Sequence, residues 1–401
     1  MKKTGLILSG GGARGAYEAG VLHYLRTQIA PSLRKHVFDI LCGCSVGAIN
    51  TSFLASTAHE PLTQTQALVN LWENIQANNV YNSNAASFVS LLGHSLTGII
   101  GNLTRLSFFD SKKKAGHFQA LLDTAPLKKF LKKNIRWDKV SQNIRKNCLQ
   151  SVGFISTQQR TGRPVVFLQT NSKFTPSSRF DFIKGTLEPH HAMASAAIPL
   201  VFPSIKIADQ YYVDGGVRMN TPLSPAIHLG AEKLFIIGLH ADQNWASDID
   251  SPTTPPTLGE HLGKLFHSFL LDHLKTDLMQ LQKINNLIDT SESIYGKDFC
   301  KKLNRKLKPT LSKIDTLLIH PSIPISEVFA EWYAKKENKA HMGRMEKFLM
   351  RVLDIQPEVS ADLLSYLAFE SEYMKDLIQL GFKDTAQKHD MIEAFLSQNS
   401  S

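Results

Sequence analysis

Short apolar runs alternate with longer amphipathic stretches along the first part of the chain. An apolar run at residues 6–8 precedes a glycine-rich loop, and apolar positions then recur at helical spacing to about residue 28. A second apolar run at 37–42 is followed by a helix-like stretch at 46–56. This strand–helix–strand–helix order predicts a mostly parallel sheet with helices on its faces.

The strand pattern recurs further along the chain, in residues 149–156, 164–170, 205–207, 211–213, 233–239 and 315–320. The first four segments predict two hairpins, and the last is expected to return to the same sheet. Residues 242–256 are rich in Ser, Pro and Asp and predict the main internal link, while the chain from 326 onward is predicted to be helical. Residues 88–100 are apolar, which predicts either a buried helix or a cap that covers a site or contacts lipid.

Composition narrows the class of protein. The 401 residues are 43% hydrophobic and 20% charged, which is ordinary for a globular protein with a real core. The four cysteines show no metal-binding spacing. No signal-peptide core and no apolar stretch of bilayer-spanning length is present. We therefore expect a cytoplasmic protein that is peripheral to a membrane at most, with export by a route that needs no N-terminal signal as the alternative.

The formal net charge of +10 favours an anionic partner. Basic residues cluster at 112–114, 128–133 and 301–308. The chain carries no recognisable nucleic-acid-binding signature, so we do not expect a nucleic-acid partner. An anionic membrane surface fits the charge, and solvated helix faces are the alternative explanation.

Ser45 lies at the junction of the second predicted strand and its helix, in a Gly-x-Ser-x-Gly pattern. Such a junction is typical of a nucleophile elbow, in which a sharp turn exposes a hydroxyl at a helix start. Gly43 and Gly47 fit the turn because a side chain at either place would crowd it. Free N–H groups at the helix start would stabilise negative charge. Cys44 is the weaker candidate nucleophile and is expected to pack as a small apolar residue.

The glycine-rich loop consists of Gly10, Gly11, Gly12, Ala13, Arg14 and Gly15. Its Gly-x-Gly-x-x-Gly spacing is also a dinucleotide fingerprint, so an oxidoreductase that uses Asp39 to bind a ribose is one interpretation. For acyl transfer, the N–H groups of Gly11 and Gly12 would bind an oxyanion, and Arg14 would add charge and help to hold the loop. Because both loops follow neighbouring parallel strands, we expect the glycine loop to lie beside Ser45.

A nucleophilic serine needs a base, and the chain offers two kinds of candidate. In a Ser-His-acid triad, His240 at the end of a predicted strand is the best placed histidine. Two further histidines are weaker candidates, His228 and His320. The alternative is Asp214, which follows an apolar strand and precedes Gly215 and Gly216. A carboxylate shielded from water there would have a raised pKa and take the proton directly.

Four motifs occur together: the glycine loop, the serine elbow, Ala-Ser-Ala-Ala-Ile-Pro at 194–199 and Asp-Gly-Gly at 214–216. In order and spacing they resemble the patatin-like phospholipases. The resemblance covers residues 4 to about 240, and residues 363–382 are similar to the C-terminal part of bacterial members. Ser9 stands where plant members tend to carry Asp, and the last motif is Asp-Gly-Gly where many members have Asp-Gly-Ala.

The resemblance implies a three-layer α/β/α sandwich with a mostly parallel central sheet in residues 1–325, followed by a helical extension in 326–401. It implies calcium-independent hydrolysis of acyl esters in phospholipids or lysophospholipids, with Ser45 as nucleophile and Asp214 as base. The oxyanion site that it implies consists of Gly11, Gly12 and Arg14. It implies no catalytic histidine, metal or cofactor. A catalytically silent membrane-binding protein is the remaining alternative.

Overall fold

A mixed β-sheet forms the centre of the molecule. The structure is a computed structural model and describes residues 2–35, 38–83, 120–241, 274–307, 311–335 and 361–397. The strands in these ranges are β1 (Thr4–Leu8), β2 (Ile40–Cys44), β3 (Asn82–Ser83), β4 (Leu122–Asp123), β5 (Ser151–Gln158), β6 (Pro164–Thr170), β7 (Asp181–Lys184), β8 (Ile205–Ile207), β9 (Gln210–Asp214), β10 (Lys233–Ile237) and β11 (Asp315–Ile319).

The sheet has a parallel half and an antiparallel half. Strands β11, β10, β1, β2 and β5 lie side by side and are parallel. Beyond them, β5 pairs antiparallel with both β6 and β9, and β8 pairs antiparallel with β9. The two predicted hairpins and the return of the 315–320 segment to the main sheet are therefore confirmed.

Helices follow the strands and cover both faces of the sheet. They are α1 (Gly15–Thr27), α2 (Val46–Ser56), α3 (Gln64–Glu73), α4 (Ala77–Val80), α5 (Ala125–Asn134), α6 (Trp137–Arg145), α7 (Pro189–Ser195), α8 (Leu223–His228), α9 (Leu274–Tyr295), α10 (Phe299–Leu303), α11 (Ile325–Ala334), α12 (Ala361–Leu367), α13 (Ser371–Gln387) and α14 (His389–Ser397). Single 3₁₀ turns follow β1 and β9.

The alternation of side chains along β1 shows how the layers are built. Leu6 and Leu8 face a core that includes residues of α1, α2, α3 and α13, whereas Ile7 faces a smaller core with residues of α8 and α9. Successive residues of a strand point to opposite faces, so an all-apolar strand is buried between two helix layers. The predicted α/β fold, with a mostly parallel sheet between helices, is confirmed.

The C-terminal helix α13 packs along α1. A Cβ atom at Gly20 would overlap the carbonyl of Ile378, and one at Gly381 would overlap the carbonyl of Tyr17. The absence of a side chain at both positions therefore lets the two helix backbones approach closely. This contact fixes α13, and with it the end of α12, beside the glycine loop that precedes α1.

Three segments of the sequence analysis lie outside the described residues: the 88–100 stretch, the 112–114 lysines and the 242–256 link. Among the helices that the structure does describe, none has both the length and the apolar character needed to cross a bilayer.

Candidate active site

Ser45 occupies the turn between β2 and α2 in a strained backbone conformation. Its φ is 52° and its ψ is −122°, a region that residues with a Cβ atom rarely adopt. A Cβ at Gly43 would overlap the carbonyl of Gly47, and one at Gly47 would overlap the carbonyl of Leu8. Both glycines are therefore required by close backbone contacts, and the strained serine is held at the carboxyl end of its strand.

A second serine supports the strained turn. The N–H of Ser45 donates a hydrogen bond of 2.9 Å to Ser195 Oγ, and the Ser195 hydroxyl donates in turn to the carbonyl of Ile155. Ser195 is fully buried and joins the turn to β5. The sequence analysis assigned it no role, although its motif was one of the four that carried the family resemblance.

The glycine loop lies against Ser45, as the parallel pairing of β1 and β2 requires. A Cβ at Gly10 would be 3.1 Å from the Ser45 Cβ, and Gly12 lines the same cavity as Ser45. Gly12 has a φ of +56°, which favours glycine. Within the described part of the chain, the backbone N–H groups of Gly11 and Gly12 donate no hydrogen bond. They are therefore available to an acceptor in the cavity.

The Arg14 side chain is bound to α12. Its Nε and Nη2 donate to Ser365 Oγ at 3.0 and 2.6 Å, Nη1 donates to the Tyr366 hydroxyl at 3.0 Å, and Nη2 also donates to Asp362 Oδ1 at 2.5 Å. Burial lowers the pKa of the guanidinium, but Tyr366 and Asp362 raise it, and the net direction is upward. Arg14 is thus well placed to hold the loop, and its direct contact with an oxyanion stays a prediction.

Asp214 ends β9 and is brought to Ser45 by long-range pairing. It lies opposite Ser156 in the β5–β9 register, and its N–H donates to the carbonyl of Ala197 at 2.9 Å. Its Oδ1 accepts hydrogen bonds from the Gly216 N–H at 2.7 Å and, more weakly, from Cys44 Sγ at 3.9 Å. The segment that carries Ser195 therefore also fixes the backbone of Asp214.

The Asp214 carboxyl is suited to exchange a proton near neutral pH. Burial raises its pKa from 3.8 to about 6, although the Ser45 hydroxyl, the Gly216 N–H and the Cys44 thiol each lower it. Oδ2 is buried and has no hydrogen bond of acceptable geometry to the described residues, even though the Ser45 hydroxyl is near enough to lower the pKa. Asp214 Oδ2 is therefore available to pair with the Ser45 hydroxyl.

The three candidate histidines bind elsewhere. His240 Nε2 shares a hydrogen bond of 3.1 Å with the Tyr366 hydroxyl. His228 Nδ1 is 3.0 Å from a backbone carbonyl, that of Thr175, and His320 Nδ1 is 3.0 Å from the carbonyl of Pro321. The Ser45 hydroxyl is thus near enough to the Asp214 carboxyl to lower its pKa, whereas the hydrogen bonds described for the three imidazoles go to other residues.

Asp39 is at the wrong edge of the sheet for a ribose contact. Its Oδ2 accepts a hydrogen bond of 2.8 Å from the N–H of Thr4, at the amino end of β1, and its Oδ1 accepts one from Gln150. The glycine loop follows the carboxyl end of β1, at the opposite end of that strand. Asp39 is therefore not placed to be the ribose ligand of a dinucleotide site. The oxidoreductase alternative then rests on the spacing of the glycine loop alone.

An apolar cavity extends from Ser45 between α2, α3, α5 and the end of α7. Gly12 and Ser45 lie at one end, and Asn50 is a polar exception in the wall. The remaining lining residues are Val46, Ile49, Leu71, Trp72, Ile75, Val80, Leu127, Phe130, Ala196, Ile198, Phe202 and Phe369. A cavity of this composition suits an apolar group held beside Ser45.

Two polar residues near the site were not anticipated. Asn220 accepts the Gly10 N–H with its backbone carbonyl at 3.2 Å, and its Nδ2 donates to the Gly10 carbonyl at 3.2 Å. Glu18 is fully buried, and its Oε2 accepts from Asn50 Nδ2 at 2.8 Å. Burial raises the pKa of Glu18 well above its ordinary value. Neither residue lies in a motif, so no local pattern marks it.

Known proteins are similar to this chain over more than half of its length. The rabbit (Oryctolagus cuniculus) calcium-independent phospholipase A2-gamma is 25% identical over 273 residues, which are 66% of this chain and 31% of the relative. Probable lipid hydrolase 463L of Invertebrate iridescent virus 6 is 26% identical over 224 residues, which are 55% of this chain and 62% of the relative. The chain thus spans about a third of the rabbit protein and less than two thirds of the viral one.

Among solved structures, human GIVD cytosolic phospholipase A2 in complex with methyl gamma-linolenyl fluorophosphonate aligns with a TM-score of 0.44 and 11% identity, over 99% of this chain and 58% of that one. The family model of patatin-like phospholipases matches residues 6–227, which is more than half of the sequence and includes the glycine loop, Ser45 and Asp214. The chain therefore belongs to the patatin-like phospholipase family.

Proposed function

We propose that this protein is a serine lipid acyl hydrolase of the phospholipase A or lysophospholipase type that needs no calcium. Ser45 is the nucleophile and Asp214 is the base. The observation that carries the proposal is the contact between a strained serine and a buried carboxyl whose pKa is about 6. The name of the rabbit relative, a calcium-independent phospholipase A2, supports a calcium-independent reaction and the class of substrate.

In the first half of the reaction, Ser45 Oγ bonds to the ester carbonyl carbon while its proton moves to Asp214. The carbonyl oxygen gains negative charge and faces the free N–H groups of Gly11 and Gly12, which stabilise it. The C–O bond to the glycerol oxygen then breaks, and that oxygen takes the proton from Asp214. A lysolipid or alcohol leaves, and the acyl group stays on Ser45.

In the second half, a water molecule replaces the departed alcohol. Asp214 takes a proton from this water as its oxygen bonds to the acyl carbon. The bond to Ser45 Oγ breaks, Ser45 recovers the proton, and a fatty acid is released. The apolar cavity holds the acyl chain through both steps, so the acyl carbon stays beside Ser45.

The protein would reach its lipid substrate at an anionic membrane surface. On α5, Leu127 and Phe130 line the acyl cavity, whereas Lys128, Lys129, Lys132 and Lys133 are exposed. A basic helix face beside the entrance of an apolar cavity favours a peripheral contact with negatively charged headgroups.

The test combines labelling with lipid hydrolysis. The full chain is treated with a fluorophosphonate probe, and fatty acid release from vesicles of phosphatidylcholine and phosphatidylserine is measured in excess chelator. We expect labelling at Ser45, no labelling or release with Ser45→Ala, and a loss of about 10³-fold or more with Asp214→Asn. His240→Ala is the matched control for the rival base, and it should lose no more than several-fold.

Other outcomes would select other functions. Full activity of Asp214→Asn would refute the dyad, and loss of labelling in His240→Ala would restore the histidine as base. Vesicle binding by an unlabelled wild-type protein would indicate a catalytically silent membrane protein. Stabilisation of the protein against heat by a nicotinamide or flavin cofactor would support the oxidoreductase alternative.

A further inference from the structure

We propose that the segment 361–369, which lies outside the region matched by the family model, is a working part of the hydrolase site. Asp362, Ser365 and Tyr366 are positioning residues, which hold the glycine loop against Ser45 by binding Arg14. The inference rests on the proposed function, because it assigns the segment a role in the same reaction. We call residues 361–369 the C-terminal clamp.

The clamp meets the glycine loop at two adjacent points. Three of its residues take up the Arg14 guanidinium, whose carbon also lies 3.7 Å from the centre of the Tyr366 ring. The Tyr366 carbonyl lies so near Gly12 that a Cβ there would overlap it. The loop residue with the left-handed backbone is therefore covered by the same helix that binds Arg14.

The opposite side of the loop is held differently. Asn220 bonds both backbone groups of Gly10, and Ser9 Oγ shares a hydrogen bond of 2.7 Å with Thr221 Oγ1. These contacts fix the beginning of the loop and come from the matched region of the chain. They do not reach Gly11 or Gly12. Gly11 packs against Leu239, whereas Gly12 and the Arg14 side chain that follows it are held by the clamp.

Positioning matters here because glycines carry the oxyanion donors. A glycine-rich loop has more backbone freedom than any other, and each donor must be in place before charge develops. The buried Arg14 charge is stabilised by clamp residues more than 340 positions away in sequence. Release of that side chain would leave the donors free to move, and the loss would appear in the rate of the chemical step.

The clamp also borders the acyl cavity. Phe369 lines the cavity and stacks on Trp72 with 6.5 Å between the ring centres, and the Tyr81 hydroxyl donates to the carbonyl of Leu367 at 2.8 Å. The segment that holds the loop therefore also closes the space for the substrate chain. One short element thus contacts both functional parts of the site.

The experiment compares a variant that loses hydrogen bonds to Arg14 with a control variant that loses a hydrogen bond elsewhere. The variant Ser365→Ala/Tyr366→Phe removes three of the hydrogen bonds of Arg14, while Ser371→Ala removes a bond of 2.8 Å from the same region to the Glu73 carbonyl, away from the loop. Amide hydrogen exchange is followed in a peptide that spans residues 9–15 of the full chain. Hydrolysis of a soluble p-nitrophenyl ester gives kcat and KM.

We expect faster exchange in the loop peptide and a kcat lowered at least about ten-fold with little change in KM, for the double variant alone. Unchanged exchange, faster exchange with unchanged kcat, or an equal kcat loss in Ser371→Ala would each overturn the proposal. If the double variant does not fold, Tyr366→Phe takes its place in the same comparison. A wild-type protein that neither hydrolyses esters nor labels at Ser45 would refute the proposed function, whereas the exchange data would still show whether the clamp holds the loop.

Discussion

Ser45 and Asp214 reach the same point from different halves of the sheet. Ser45 ends a parallel strand, and its strained φ of 52° is forced by the direct passage from β2 into α2. Asp214 ends an antiparallel strand with an ordinary φ of −48° and is carried to the site by a hairpin that pairs with β5. The proposed nucleophile is thus fixed by local chain geometry, and the proposed base is fixed by distant contacts.

One short segment serves both residues. Ser195 accepts the N–H of Ser45, and the carbonyl of Ala197 accepts the N–H of Asp214. The strained turn at Ser45 persists because close backbone contacts at Gly43 and Gly47 and a hydrogen bond to Ser195 all hold it in place. The Asp214 carboxyl is held by fewer contacts. Substitutions on the two sides should therefore differ in kind: those at the elbow change stability, and those around Asp214 change its pKa.

The largest effect is expected for Gly47→Ala on the elbow side. The added Cβ would overlap the backbone carbonyl of Leu8, which cannot move without displacing β1. We expect a loss of more than about 4 kcal/mol in the free energy of unfolding, measured with urea, or no soluble protein. Gly185→Ala is the control, because nothing lies within 4 Å of its added Cβ. Equal stability of the two variants would show that the elbow is not sterically fixed.

On the base side, Asp214→Asn should make the protein more stable at neutral pH. A carboxyl whose pKa rises from 3.8 to about 6 on folding ionises first in the unfolded chain, so stability falls between pH 4 and 6 and stays low above. At roughly 1.4 kcal/mol per pKa unit, this shift lowers the free energy of unfolding of the wild type by about 3 kcal/mol at neutral pH. The asparagine variant has no carboxyl to ionise and does not show this loss.

Urea unfolding at pH 4.5 and 7.5 checks this sign. The gain from Asp214→Asn should be fully present at pH 7.5 and fall to about a third of that value at pH 4.5. Asp209→Asn, at an exposed carboxylate on the β8–β9 turn, should show no such pH dependence. A wild-type protein that gains stability relative to Asp214→Asn as the pH rises would contradict the raised pKa.

The contrast between the two halves also explains what the sequence could predict. The elbow is a local pattern, so Ser45, its glycines and the bounds of α2 follow from consecutive residues. Asp214 follows a predicted hairpin, but its proximity to Ser45 depends on the Ser156 register, which no spacing reveals. The family resemblance supplied that link. The residue types in the motifs therefore identify the candidate site residues, whereas the sequence alone does not show how the fold brings Asp214 next to Ser45.

Other parts of the site depend on contacts that have no sequence signature. Arg14 meets Asp362 at a separation of 348 residues, and Asn220 reaches Gly10 across 210. Asp39 has the right spacing for a ribose ligand but lies before its strand begins, at the other edge of the sheet. Spacing along the chain cannot show at which end of a strand a side chain lies, so only the structure reveals the position of Asp39.

A smaller effect is expected for Ser195→Ala, which acts where the two sides meet. The change leaves the Ser45 N–H and the Ile155 carbonyl buried without their partner, at a cost of about 1–3 kcal/mol in unfolding free energy. The elbow should relax, so we expect the fluorophosphonate labelling rate to fall about ten-fold. Ser52→Ala removes an equally buried hydroxyl that bonds within α2, and it should keep its labelling rate. Matching losses in both variants would exclude a special role for Ser195.

The smallest effect is a shift of the pH profile by Cys44→Ala. Asp214 must be ionised to accept a proton, so kcat/KM should rise with pH and level off above its pKa of about 6. The Cys44 thiol lowers that pKa by a weak hydrogen bond to Oδ1, so its removal should move the inflection upward. Cys42→Ala alters a buried thiol on the same strand that faces a different core, and should leave the inflection in place. A downward shift in Cys44→Ala, or an equal shift in both variants, would mean that the Cys44 thiol does not lower the pKa of Asp214, which burial would then set together with the Ser45 hydroxyl and the Gly216 N–H.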